Sequence, residues 1–309
     1  MEWITNFLAA AVVAGTPLLF ATLGEIITEK AGNLNLGVEG MMLMGAVIGF
    51  IIGLKTENAI MALLAAMAAG ALGAFIYAFL TVSLKANQNV TGLTLTIFGS
   101  GFSSFVGKSV VGQVTPDSIK NFFRPIEIPI LSDIPILGKA LFSQDLFIYM
   151  GYLCTIILTI YLYNTNLGLN LTAVGENPSA AASASINIEL YKYIHILLGG
   201  ALCGLGGAYL SLVYVPAWQE NITAGRGWIA VALVVFAAWR PNKAIIGAYL
   251  FGGLDIIRFR ITNPFISIYF MDMIPYVVTI VILVFIGIRK STRNAPPKSL
   301  GMPYFSEER

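Results

Sequence analysis

The stretch GFSSFVGKS, Gly101 to Ser109, holds the glycines, lysine and serine of a phosphate-cradling loop. Such a loop needs four residues between its first glycine and the Gly-Lys pair. Here five intervene, Phe102 to Val106, and no soluble strand precedes them. A tightly packed Gly/Ser-rich helix end is the simpler reading. Hydrolytic chemistry also lacks its parts. The chain has one histidine, His195, which rules out an HExxH zinc site, and it contains no GxSxG. Cys154 and Cys203 stand in apolar runs without metal or redox spacing and read as small core residues. No catalytic or metal-binding residue is assigned, and an intramembrane enzyme is the remote alternative.

Other polar residues suit a solute pathway. In AGNLNLGVEG, Ala31 to Gly40, Asn33 and Asn35 alternate with leucines between Gly32 and Gly37, and Glu39 follows. Glycine and asparagine weaken a helix. Irregular backbone at membrane depth survives only where protein or a watery cavity satisfies it, and discontinuous helices mark transport pathways. Two readings stay open: the wall of a polar pathway, or an interfacial helix start capped by asparagines. In NQNVTGLTLT, Asn87 to Thr96, the residues Asn89, Thr91, Thr94 and Thr96 could line a cavity for a hydroxyl-rich solute. Thr hydroxyls also bond back to their own helix. Asp255 and Arg258, three apart, could pair on one helix face.

These residues are set in a very apolar chain. Of 309 residues 57% are hydrophobic and 11% charged, against roughly 25% charged in soluble domains. This composition predicts an all-α, polytopic membrane protein. The net charge of +2, with no basic stripe, excludes nucleic acid as a partner. Apolar runs at about 4–23, 37–54, 59–82, 91–107, 145–163, 194–213, 227–239, 244–260 and 273–288 predict nine spans within a transmembrane domain of residues 1–288. The two runs at 227–239 and 244–260 are short of the ~20 residues a helix needs to cross, so one or more is expected to be broken or re-entrant. Gly45, Gly49 and Gly53, and likewise Gly200 and Gly204, form small faces suited to close helix packing.

Arg289, Lys290, Arg293 and Lys298 put the tail, 289–309, in the cytoplasm. Counting back places Arg240, Lys243, Lys192 and Lys85 inside, and the N-terminus and the loop at about 108–144 outside. Pro116, Pro125, Pro129 and Pro135 predict an extended, ordered outer loop. The polar tail from Ser291 is expected to be partly disordered.

On the inner side lies a more polar segment at about 164–193, with GENPSAAASASINIELYK from Gly175 to Lys192 at its centre. Asn177 followed by Pro178 is a helix start. Ala180, Ala181, Ala182 and Ala184 favour helix, predicted to run to about Tyr191, ~20 Å long. Small side chains leave a smooth surface suited to a groove on another protein, and the segment lacks the basic face and large hydrophobes of a lipid-surface helix.

Four stretches together resemble a known family: AGNLNLGVEGMMLMGA (31–46), TAVGENPSAAASASIN (172–187), GRGWIAVALVVFAAWRP (225–241) and MIPYVVTIVILV (273–284). The chain resembles the ATP-binding-cassette importer permeases of the branched-chain amino acid and simple-sugar type, and among them the smaller permease of nucleoside importers. The resemblance implies a type II-like permease of the bacterial cytoplasmic (inner) membrane. Its implied partners are a larger permease, cytoplasmic ATP-binding subunits, an extracytoplasmic solute-binding lipoprotein and a small-molecule substrate. No cofactor is expected on this chain, since ATP and magnesium belong to the ATPase. The resemblance also assigns ATPase coupling to Gly175, Glu176, Asn177, Pro178, Ala180, Ala181 and Ile186. Three positions depart from the family pattern: Thr172 stands where a basic residue is common, Ser179 where lysine is frequent, and Ser185 where glycine usually precedes the isoleucine. The expected function is import of nucleosides or simple sugars by alternating access, with no catalysis by this chain. A stand-alone ion-coupled transporter using Glu39 or Asp255 is the alternative.

Overall fold

Asparagine, aspartate and threonine open half of the twelve described helices. Asn58, Asn87, Asp145, Thr165, Asn177 and Asn187 each accept a backbone N–H from the first turn they precede, satisfying donors that have no partner within the helix. The computed structural model describes residues 2–260, 273–275, 277–281, 284 and 295–305. Its helices are α1 (Glu2–Lys30), α2 (Val38–Thr56), α3 (Ala59–Ala78), α4 (Gln88–Gly107), α5 (Asp117–Phe122), α6 (Leu137–Phe142), α7 (Leu146–Asn164), α8 (Asn166–Glu176), α9 (Pro178–Ser183), α10 (Ile188–Tyr209), α11 (Arg226–Phe236) and α12 (Pro241–Arg260). Single π-helical turns, Phe79–Ser83 and Leu210–Tyr214, extend α3 and α10.

Among the described residues, six helices are long and apolar enough to cross a membrane. They contain or largely overlap the first six expected spans. The expected run at 227–239 is the 11-residue α11, about 16 Å long and half of what a ~30 Å hydrocarbon core requires. The run at 244–260 lies within α12, and most of the expected span at 273–288 lies outside the described residues. A count of nine is therefore not what the described residues display.

Helix α10 is the centre of the bundle, packed on α1, α2 and α3. Glycine permits this on each side. A β-carbon on Gly24 of α1 would overlap the Gly199 carbonyl, one on Gly45 of α2 would overlap the Gly204 backbone, and one on Gly70 of α3 would overlap the Gly200 carbonyl. The small faces read from the sequence are thus helix–helix seams, where close backbone approach replaces a hydrophobic driving force that lipid does not supply.

One end of the bundle gathers the turn after α1, the start of α10, segments α8 and α9, the α11–α12 turn and residues 295–305. Lys85 pairs with Glu189 at 3.4 Å there, and the Trp239 indole N–H donates to Glu29 Oε2 at 2.5 Å. The other end carries the 108–144 loop. It is more regular than an extended loop: it holds α5, α6 and a two-residue strand Ile126–Glu127 (β1), antiparallel to Ser143–Gln144 (β2) just past its end. The bridge Val114–Ala217 ties it to the chain after α10.

Gly204→Val is expected to lower the stability of the purified protein by several kcal/mol, because overpacking costs roughly 1–3 kcal/mol even where neighbours can shift, and here the neighbours are backbone atoms of Ala66 and Gly70. Gly101→Ala, with no atom within 4 Å of the new methyl, should leave it unchanged or slightly raised. Thermal unfolding in detergent distinguishes the two.

Candidate functional site

The segment expected to couple to an ATPase folds as two short helices, α8 and α9, at the end that holds Lys30. Asn177 Oδ1 accepts the Ala180 N–H at 3.1 Å and Pro178 takes the first turn, as their types require. The helix then stops at Ser183 rather than reaching Tyr191. Ser185 adopts φ +61°, and the Ile186 N–H bonds the Ala181 carbonyl at 3.1 Å. That six-to-one bond over a left-handed residue is a Schellman ending. Asn187 then accepts the Leu190 N–H at 3.0 Å and starts α10. The position where the family pattern has glycine is therefore the left-handed one, and Ser185 occupies it against its side chain's preference.

The assigned residues divide between two faces. Glu176, Asn177 and Ala180 are exposed, Pro178 and Ile186 are half-buried, and Gly175 and Ala181 are buried. Ala181 packs with Val174 and Ile188 in a small apolar cluster. It anchors α9, while Ser179, Ala180, Ser183 and Ala184 present a smooth outer surface.

The broken stretch between α1 and α2 is held from several helices. Asn33, Asn35 and Glu39 are all buried. The Asn35 backbone N–H donates to Glu25 Oε1 at 2.9 Å, and its Oδ1 accepts the Gly37 N–H at 2.8 Å. Tyr77 of α3 donates to the Leu34 carbonyl at 2.7 Å, and Gln88 of α4 accepts the Leu34 N–H at 2.7 Å. Asn33 lies beside Tyr77. Of the threonines on α4, Thr91 and Thr94 bond carbonyls of their own helix, while Thr96 donates to the Leu36 carbonyl at 2.9 Å. Asn89 and Thr94 are exposed.

Glu39 is the most heavily bonded of these groups. Its carboxylate accepts from Thr223 Oγ1 at 2.5 Å, from the Gly225 N–H at 2.8 Å and from the Gly227 N–H at 2.6 Å. It thereby caps α11, whose positive end favours an anion. The motif GRGW explains itself here. Gly225 supplies φ +83°, and a β-carbon on Gly227 would overlap Glu39. Arg226, between them, reaches Asp255 at 2.9 Å and lies over the Tyr214 ring. Asp255 thus has a partner on α11; the Arg258 side chain lies outside the described residues.

Helix α11 begins inside the bundle. Trp218, packed near Phe50, belongs to the α10 exit end, and seven residues later Gly225 has reached Glu39 at the start of α2. Gln219, Glu220 and Asn221 along that descent are exposed. On the opposite flank, Gly40 meets α4 at Leu95 and Gly99. The first turn of α2 is therefore gripped between α4 and α11.

The sequence pattern of the branched-chain amino acid transport system permease component matches residues 7–285. The chain belongs to this family. It is an ABC transporter permease subunit, a multi-pass protein of the cytoplasmic membrane. It is 39% identical to a candidate glucose ABC transporter permease protein, TsgC13, of Haloferax volcanii, over 99% of both chains. It is 34% identical to the guanosine ABC transporter permease protein NupQ of Bacillus subtilis, over 100% of this chain and 99% of that one. It is 31% identical to the nucleoside ABC transporter permease protein NupC of Lactococcus lactis, over 97% and 96% respectively. No solved structure shows a significant match.

For this permease subunit, sequence reading missed Glu25, Glu29, Tyr77, Gln88 and Trp239, which hold the α1–α2 break and the α11–α12 turn. Two glutamates four apart at the end of an apolar run were the available signal. Glu39→Gln should cut transport at least tenfold and lower the unfolding temperature, since an amide nitrogen would face a backbone N–H and each orphaned donor costs roughly 1–3 kcal/mol. Uptake and melting measurements on the same preparation check it. Ser185→Gly should stabilise the protein by about 1 kcal/mol, read as a raised melting temperature.

Proposed function

We propose that this permease is the smaller membrane subunit of a nucleoside importer, working beside a larger permease, over cytoplasmic ATP-binding subunits and beneath an extracytoplasmic solute-binding lipoprotein. The observation that carries the mechanism is α9: a helix anchored on one face by Ala181 and offering small side chains on the other. Such a helix transmits a push from a partner's groove into α8 and α10. The end that holds α8, α9, Lys85, Lys192, Arg240 and Lys298 is the cytoplasmic one, as positive charge favours, and the 108–144 loop faces outside. ATP and magnesium stay on the ATPase, and this chain makes and breaks no bonds. Alternating access follows from discontinuous elements that share one pivot, the start of α2. Asn89 and Thr94 on α4 and Gln219 to Asn221 before α11 are polar, exposed groups on its two flanks. In a membrane they belong on a wet pathway shared with the second permease rather than in lipid.

Two relatives named for guanosine and nucleoside transport favour a nucleoside. The relative named for glucose favours a simple sugar as the second reading. In proteoliposomes holding the full transporter, ATP-driven uptake of labelled guanosine that unlabelled glucose does not suppress supports the nucleoside. The reverse selectivity replaces it with the sugar. Uptake by this chain alone under an ion gradient would overturn the ABC mechanism.

Ala180→Trp, on the exposed face of α9, is expected to leave the melting temperature within a degree or two. It should reduce uptake per ATP hydrolysed at least tenfold. Ala181→Trp, on the packed face, should instead unseat α9 and lower stability. Equal uptake ratios in wild type and Ala180→Trp would remove α9 from the coupling path.

A further inference from the structure

The C-terminal segment 295–305 is an ordered strap and not a loose tail. Ser299 is buried, and both its N–H and its Oγ donate to the carbonyl of Gly175, at 3.0 and 2.6 Å. Two residues on, the Gly301 N–H donates to the Gly32 carbonyl at 3.3 Å. Pro297 is buried and approaches Gly175, and Tyr304 packs on the Val174–Ala181–Ile188 cluster beneath α9. Gly175 itself is wedged: a β-carbon there would overlap the Lys30 carbonyl on one side and touch Pro297 on the other. At Gly32, with φ +83°, a β-carbon would overlap the Ser299 hydroxyl.

These contacts form one continuous path. From the end of α8 it runs through Ser299 to Gly301 and Gly32, and from there along the backbone to Asn35, Gly37 and the first turn of α2. That turn carries Glu39 and so the start of α11. The two bonds to a single carbonyl fix the strap's register at Gly175, and the Gly301 bond fixes it at Gly32.

We propose that the C-terminal strap is a positioning element of the transport cycle, with Ser299 its principal residue, binding the α8–α9 coupling unit to the α1–α2 break so that the two move as one body. This inference rests on the coupling role proposed for α9. Without the strap, a displacement of α9 would be taken up at the turns around Asn177 and Ser185 instead of reaching the start of α2.

The test uses the complete transporter in proteoliposomes, with ATP hydrolysis and solute uptake measured together. Deletion of residues 295–309 is expected to leave ATP hydrolysis near wild type and to lower uptake per ATP at least tenfold. Ser299→Ala, which keeps the backbone bond and loses the side-chain one, should lower the ratio several-fold at normal protein abundance, so the inference stays open to refutation even if the deletion fails to assemble. A wild-type ratio in the Ser299→Ala variant overturns the proposal. Absence of any ATP-driven uptake by the unmutated transporter is a different failure: it removes the coupling reading first, and this inference with it.

Discussion

The N–H groups at the start of a helix have no partner within the helix, and a helix that starts inside a membrane protein cannot leave them to water. Helix α11 starts there, and Glu39 supplies its cap with two backbone bonds and one to Thr223. The cap joins residues 184 to 188 positions apart in the chain. Because Glu39 also lies in the first turn of α2, the same carboxylate fixes how α2 and α11 meet. The remaining features of the region follow from this junction. Gly227 must lack a side chain to admit it, Gly225 must turn left-handed to aim its N–H at it, and Gly40 must be small for α4 to close on the other side.

The break between α1 and α2 obeys the same constraint by other means. Its backbone groups find Glu25, Tyr77, Gln88 and Thr96, one from each of α1 and α3 and two from α4. Polar side chains that would be costly in lipid are thus used where the irregular backbone needs partners. Asn35 is one such group: its side chain closes a turn onto the Gly37 N–H. Asn89 and Thr94, by contrast, stand on an exposed face of α4. Buried polar groups that hold the break and exposed ones that flank it thus lie within a few residues of one another.

Around α8 and α9 the same economy of local rules holds until the helix ends. The Asn177-Pro178 start was legible because capping and proline's fixed φ act within one turn. The stop was not, because an alanine-rich stretch gives no local reason to end. Its reason is the left-handed Ser185, imposed where α10 must begin. The tail shows a second limit. Residues 295–305 are polar and proline-containing, which reads as disorder, yet they lie in a groove made by Gly175 and Gly32, whose backbones offer carbonyls at the right spacing.

The sequence by itself determined the membrane class, the places of the long helices, the small-residue seams and the start of α9. Each of these depends on composition or on interactions within a few residues, and the hydrophobic length a helix needs is set by the bilayer rather than by the fold. Only the tertiary structure decided which polar residues are buried between helices and which are exposed, that Glu39 serves α11, that Ala181 points inward while Ala180 points out, and that residues 295–305 return to α8 and α9. Those outcomes rest on contacts between elements up to 188 residues apart, where satisfaction of a buried backbone group depends on what another helix happens to bring. No local spacing encodes that partner.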